Sequence, residues 1–153
     1  MNNKIVKKIL YFVYLLLLLS FIFGNSIASR EDSANQSGAI VESINNFLEK
    51  VNSPFMIKHV VVRKLAHFTE FFVLGASLFG YLLIDKVVSL NNTFYTVFAS
   101  CIVAMTDETI QHFSNRGSML LDVWLDFFSA TLAIYTFYLV YTIRHKINNK
   151  NNP

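Results

Sequence analysis

Ten polar residues fall in three short blocks inside otherwise apolar sequence. The first block holds Arg63, Lys64, His67 and Glu70. The second holds Asp107, Glu108 and Gln111, and the third Arg116, Asp122 and Asp126. These residue types can do specific chemistry. Guanidinium and ammonium groups hold anions. A histidine beside a carboxylate can move protons, so His67 and Glu70 are the candidates for a general acid and base. Histidine with carboxylates also suits a divalent ion, and His67, Glu70, Asp122 and Asp126 offer such donors. However, no HExxH motif is present, and no metal or other cofactor is assigned from sequence. No serine or cysteine stands in a recognisable nucleophile setting, and Cys101, the single cysteine, reads as core packing.

The segments that carry these blocks are membrane-like. Hydrophobic residues make up 54% of the 153 residues and charged residues only 15%. A soluble domain carries roughly 25% charged residues, so this chain has too few to cover a soluble surface. An aromatic content of 15% excludes a disordered chain. One cysteine excludes an internal disulfide and a cysteine-rich zinc site. The net charge of +3 points to no nucleic-acid partner.

Four windows approach the roughly 20 apolar residues that a spanning helix needs: Ile9–Phe23, Leu65–Ile84, Phe94–Phe113 and Met119–Tyr141. The expected fold is an all-α integral membrane bundle of four transmembrane helices. Residues 1–24 form the first span with a basic start, 25–62 an extracytoplasmic loop, 63–143 a three-helix core and 144–153 a tail. In the loop, Ile40, Ile44, Phe47, Leu48 and Val51 recur at helical spacing, which predicts a short amphipathic helix between the first and second spans. Pro54 then interrupts the chain. The first span has a second reading as a signal peptide, with Lys4, Lys7 and Lys8 before the apolar run and Ser26-Ile27-Ala28 as a small-residue cleavage site.

Basic residues flank both ends, Lys4, Lys7 and Lys8 at one and Arg144, Lys146 and Lys150 at the other. The positive-inside rule places both termini in the cytoplasm. The loop near Asp85–Asn92 then lies inside, and the loop 25–62 and the turn near Ser114 lie outside. Arg63 and Lys64 strain that rule on the outer side, which marks them as functional candidates. Three spans thereby deliver their ionisable residues to one depth and one side. Each charge near the membrane interior costs at least a few kcal/mol, so the expected use is a polar binding site. Interhelical ion pairing, such as Arg63–Asp126 or Arg116–Asp122, is the structural alternative. Small residues at four-residue spacing, Ala76 with Gly80, Ser100 with Ala104 and Ser129 with Ala133, allow close helix approach in lipid.

These residues carry a family resemblance. The run Arg63-Lys64-Leu65-Ala66-His67-Phe68-Thr69-Glu70-Phe71-Phe72-Val73-Leu74-Gly75 resembles the RK-x-AHF-x-E-[YF]-x-x-LG signature of VanZ-like membrane proteins. Asp107-Glu108-Thr109-Ile110-Gln111 resembles that family's DE-x-x-Q block, and Arg116, Asp122 and Asp126 its R-x5-D-x3-D block. Ser33–Ile44 is similar to its serine-rich outer segment. Two elements depart: Ser129-Ala130 stands where a Gly-Ala pair is common, and Gly24-Asn25-Ser26 stands nearest a Ser-x-Gln element.

The resemblance implies a multi-pass protein of the bacterial plasma membrane linked to teicoplanin susceptibility. Such a link fits the polar site, so the expected partners are membrane lipid and a lipid-linked cell-wall precursor or glycopeptide, with the ten residues above as the ligand-binding candidates. The alternatives are a membrane-embedded hydrolase or transferase on a lipid-linked wall intermediate, and a structural or accessory protein.

Overall fold

The computed structural model describes residues 3–28, 30–114 and 119–151. Five helices follow one another: α1 (Asn3–Ile27), α2 (Arg30–Lys50), α3 (His59–Asp85), α4 (Leu90–Phe113) and α5 (Leu120–Asn151). There is no strand among the described residues, so the chain is all-α. Three helices, α1, α3 and α5, are long and apolar enough to cross a membrane, against the four expected. The 24-residue α4 has the length, about 36 Å at 1.5 Å per residue. Its apolar middle is short, bounded by Asn91 and Asn92 at one end and by Asp107, Glu108 and Gln111 at the other.

The four helices α1, α3, α4 and α5 alternate in direction. Lys4 and Lys8 near the start of α1 pair with Asp85 at the end of α3, while Asn25 at the end of α1 reaches Glu70 near the start of α3. Between those two ends, Tyr11 donates to the Ser77 carbonyl at 2.8 Å and Tyr14 shares a 2.8 Å hydrogen bond with Ser77 Oγ. Ile22 of α1 is buried, with Leu18, Leu19 and Phe23 packed against the same cluster, while its outer face is open; Leu17, for instance, is 65% exposed.

Helix association in lipid rests on close packing and interhelical hydrogen bonds, because lipid tails are as apolar as leucine. The packing is seen in two clusters. Ile22, Phe71, Leu74, Ala104 and Ala130 form one beneath the polar blocks. Phe79, Leu82, Val97 and Ile134 form the other toward the opposite end. The tightest approach joins α3 to α5, where the Gly75 Cα lies against the Ala130 backbone and Ser129 Oγ donates to the Phe68 carbonyl. Of the small pairs read from sequence, Ser100 with Ala104 and Ser129 with Ala133 are fully buried. Gly80 instead faces the Tyr11 hydroxyl.

The amphipathic helix is longer than expected, at 21 residues, and its buried stripe is displaced. Ser37 and Val41 are buried and Ile44 and Leu48 half-buried, while Ile40, Phe47 and Val51 are exposed. Of Ser33 and Gln36 only the backbone is described. Ser37 Oγ lies 3.1 Å from His59 Nδ1. Asn45 brackets Ile57, accepting from its N–H at 2.8 Å and donating to its carbonyl at 3.1 Å. That side chain therefore anchors the segment around Pro54 to α2.

The end of α3 carries a testable cost. Lys86 caps it in the left-handed region, φ 57° and ψ 33°, with its N–H bonded to the last-turn carbonyls. Glycine is the residue that adopts this conformation without a Cβ penalty. Lys86→Gly removes a left-handed penalty of roughly 1–2 kcal/mol, partly offset by glycine's greater unfolded-state freedom, and is expected to stabilise the protein by about 0.5–1 kcal/mol, read as a higher midpoint in detergent unfolding.

Candidate polar site at one end of the bundle

The last turns of α1 and α4 and the first turns of α3 and α5 meet at one end of the bundle, and each brings polar side chains. Asp107 sits at the centre and is 0% exposed. Its carboxylate accepts from Ser26 Oγ at 2.6 Å and from Gln111 Nε2 at 2.7 Å. Asn25 Nδ2 donates to Glu70 Oε1 at 2.8 Å. His67 Nδ1 stands 3.9 Å from Glu70 Oε2 and 3.9 Å from Asp107 Oδ2, so the imidazole lies between two carboxylates. Lys64 Nζ binds Asp122 Oδ1 at 2.7 Å and joins α3 to α5. Glu108 accepts from the Met119 N–H at 2.6 Å and so ties α4 to the start of α5.

Asp126 is different. It is 1% exposed, and neither carboxylate oxygen has a hydrogen-bond partner among the described residues. The ion pair Arg63–Asp126 offered as a structural reading is therefore not made, and the observed pair is Lys64–Asp122. A one-turn offset on α5 accounts for the difference: Asp122 sits level with Lys64 at the rim, and Asp126 lies one turn deeper. Arg116, with its expected pairing to Asp122, lies outside the described residues.

Charge is graded with depth. Arg63 and Lys64 are half-buried at the rim, whereas Asp107, Asp126, Glu108 and Gln111 are buried within. A small cavity of about 10 Å³ lies between the layers, lined by Arg63, Lys64, His67, Gln111, Asp122, Leu125 and Asp126. That volume holds about one water-sized occupant.

Beside it, α4 and α5 enclose a much larger groove of about 630 Å³. Cys101, Met105, Phe113, Leu120, Val123, Trp124 and Phe127 line it, with Glu108 and His112 among them. Cys101 is thus a half-exposed groove residue, not core packing as its sequence setting suggested. His112 also belongs to the groove and is exposed. Glu108 is the residue that joins the groove to the polar interior.

Two members of the site escaped the sequence reading. Asn25 and Ser26 are uncharged, and in sequence Ser26 also fits a cleavage motif. Their signal was position, since both stand at the end of a leucine-rich span at the depth of the other polar residues. Cleavage after Ala28 would remove both from the cluster.

Fold and site define a class: an α-helical membrane protein with an acidic, histidine-containing cluster gathered from four helices. The VanZ/LLP1 family model matches residues 11–141, and the chain belongs to that family. Neither a curated protein nor a solved structure matches the chain.

Proposed function

We propose that this protein spans the bacterial plasma membrane four times and binds an anionic amphiphile of the cell envelope at the outer face. In this topology α4 is the third span, both termini are cytoplasmic, and the polar cluster faces outward. The basic N-terminus and Lys86 fall at the end opposite the cluster, as the positive-inside rule requires. The pairing of Lys4 and Lys8 with Asp85 supports that arrangement.

The observation that carries the binding reading is the apolar groove beside the charged rim. A groove of about 630 Å³ is within the range of ligand pockets, and its lining suits an acyl or prenyl chain. Glu108 lines it and also belongs to the polar cluster, at whose rim stand the cations Arg63 and Lys64 together with Asp122. A lipid tail in the groove would bring an anionic head group to those cations, and lipid-linked wall precursors have this chemistry. Resemblance to a teicoplanin-linked family agrees with such a ligand, because glycopeptides act on the same precursors.

The test is drug susceptibility. Cells expressing Glu70→Gln or Asp126→Asn, with membrane insertion verified, are expected to lose any change in teicoplanin susceptibility and glycopeptide binding that the wild-type chain confers. Full retention in both variants would contradict the reading.

An enzymatic reading is favoured by one observation, the placement of His67 between Glu70 and Asp107. A histidine held by carboxylates can act as a general base toward a lipid-linked phosphate ester. Turnover of a lipid pyrophosphate by purified protein, lost in His67→Gln, would establish hydrolysis or transfer. Absence of turnover with and without chelator would remove it.

A further inference from the structure

The deepest part of the cluster is rich in carboxylates: Asp107, Glu108 and Asp126 are all buried there. Lys64 is engaged by Asp122. Among the described residues Asp107 accepts hydrogen bonds from the Ser26 hydroxyl and the Gln111 amide, with the His67 ring 3.9 Å away. Asp126 is 1% exposed with both oxygens unpartnered among the described residues. Buried charges are paired or coordinate metal ions, because an isolated carboxylate away from water is too costly. Either a proton or a bound cation must neutralise Asp126 at this position.

The donor geometry points to which occupant. One ring nitrogen of His67 and one oxygen each of Asp107 and Asp126 lie within 4.8 Å of one another. They come from α3, α4 and α5, so the three donors converge from three directions. We infer that His67, Asp107 and Asp126 bind one divalent transition-metal ion of the zinc or manganese class. The inference deepens the binding reading above and rests on the same cluster.

Four further features fit. An imidazole with two carboxylates suits borderline divalent ions better than calcium or magnesium, which favour all-oxygen shells. Metal–donor bonds of about 2.0–2.2 Å place donors roughly 3–3.5 Å apart, so an inward shift of about 1 Å by carboxylates that otherwise repel closes the shell. Asp107 is already oriented by Ser26 and Gln111, as outer hydrogen bonds orient metal-binding carboxylates. The small cavity touching His67 and Asp126 leaves room for one further ligand on the ion, a water or the head-group oxygen of an amphiphile. The ion would then sit below Arg63 and Lys64 as a third positive charge facing that head group.

The experiment uses the full chain purified in detergent, stripped with chelator, desalted, and titrated with Zn²⁺ or Mn²⁺ with no other ligand present. Metal content after desalting and the Mn²⁺ electron paramagnetic resonance signal give stoichiometry and affinity. The expected result is one ion per chain, a higher unfolding midpoint with metal, and affinity lower by roughly tenfold or more in Asp126→Asn and His67→Gln. Asp122→Asn, one turn from Asp126 and paired with Lys64, is expected to keep the ion. Unfolding midpoints in metal-free buffer separate lost binding from lost folding.

Three outcomes would overturn the inference. The wild-type chain retains no stoichiometric ion. Or Asp122→Asn and Asp126→Asn weaken binding equally, which makes the cluster a general acidic patch. Or an infrared carboxylic-acid band, abolished by Asp126→Asn and unmoved by Zn²⁺, assigns a proton to the position instead. Because no amphiphile is present, failure here leaves the amphiphile reading to be judged by its own binding data.

Discussion

Gly75→Ala is expected to cost about 3 kcal/mol, the upper end of the usual range for overpacking, and to remove most folded protein from the membrane. A Cβ at this position would overlap the carbonyl oxygen, carbonyl carbon and Cα of Ala130. All three are backbone atoms in the middle of α5, so no side-chain rotation relieves the clash, and the helices must separate. The interface at risk is the one that matters most to the site. It includes the Ser129–Phe68 hydrogen bond, and it sets the height at which Lys64 meets Asp122. Gly24→Ala is the matched control. A Cβ there meets nothing within 4 Å, and alanine is the better helix former by about 1 kcal/mol. The measurement is the unfolding midpoint of each variant in a detergent titration. Equal midpoints for the two alanine variants would refute the close α3–α5 approach.

Asp107→Leu is the second large effect, with an expected loss of roughly 2–5 kcal/mol. The substitution leaves two buried donors, Ser26 Oγ and Gln111 Nε2, without their main acceptor, at about 1–3 kcal/mol per stranded group. Its structural consequence is specific. Asp107 holds the end of α1 against α4, and the rest of α1 is mostly lipid-facing, so α1 should loosen from the core. A double-mutant cycle with Ser26→Ala is expected to give a coupling of about 1 kcal/mol, because the two substitutions remove a shared bond. Strict additivity would mean that the bond does not contribute. Asp107→Asn removes the same charge but keeps one amide oxygen as an acceptor for the Ser26 and Gln111 donors, which places it below Asp107→Leu in cost.

Much of this architecture is legible in the residues. Arg63, His67 and Glu70 fall four and three apart, which places them on one face of a helix, and alternating spans carry three such blocks to one end. What helical periodicity does not supply is the rotation and height of one helix against another. The pairing of Lys64 with Asp122, leaving Asp126 alone, follows from that relative height and has no counterpart in spacing. Asn25 and Ser26 were obscured for another reason. They carry no charge, and their contribution is to satisfy a buried carboxylate, a demand that appears only when α1 and α4 are side by side. The displaced stripe of α2 is similar: Ser37 and Val41 are buried by contact with α3, while the more apolar Phe47 is left outside. In α4 the polar residues that build the site also shorten its apolar stretch, so function weakens the hydropathy signal of the helix that carries it.

The central claim is that the rim cations and the adjoining groove together hold an anionic amphiphile. The direct measurement is equilibrium binding of a long-chain prenyl pyrophosphate, with the uncharged prenol as comparison, to the purified chain and to the double variant Arg63→Gln/Lys64→Gln. Retained folding of the variant is checked by its unfolding midpoint. Charge-assisted bonds to two phosphate oxygens are worth at least about 1.4 kcal/mol together, so pyrophosphate binding is expected to weaken by roughly tenfold or more in the double variant, with prenol binding unchanged. Equal affinity of the wild-type chain for the pyrophosphate and the prenol, or undiminished pyrophosphate binding in a folded double variant, would contradict it.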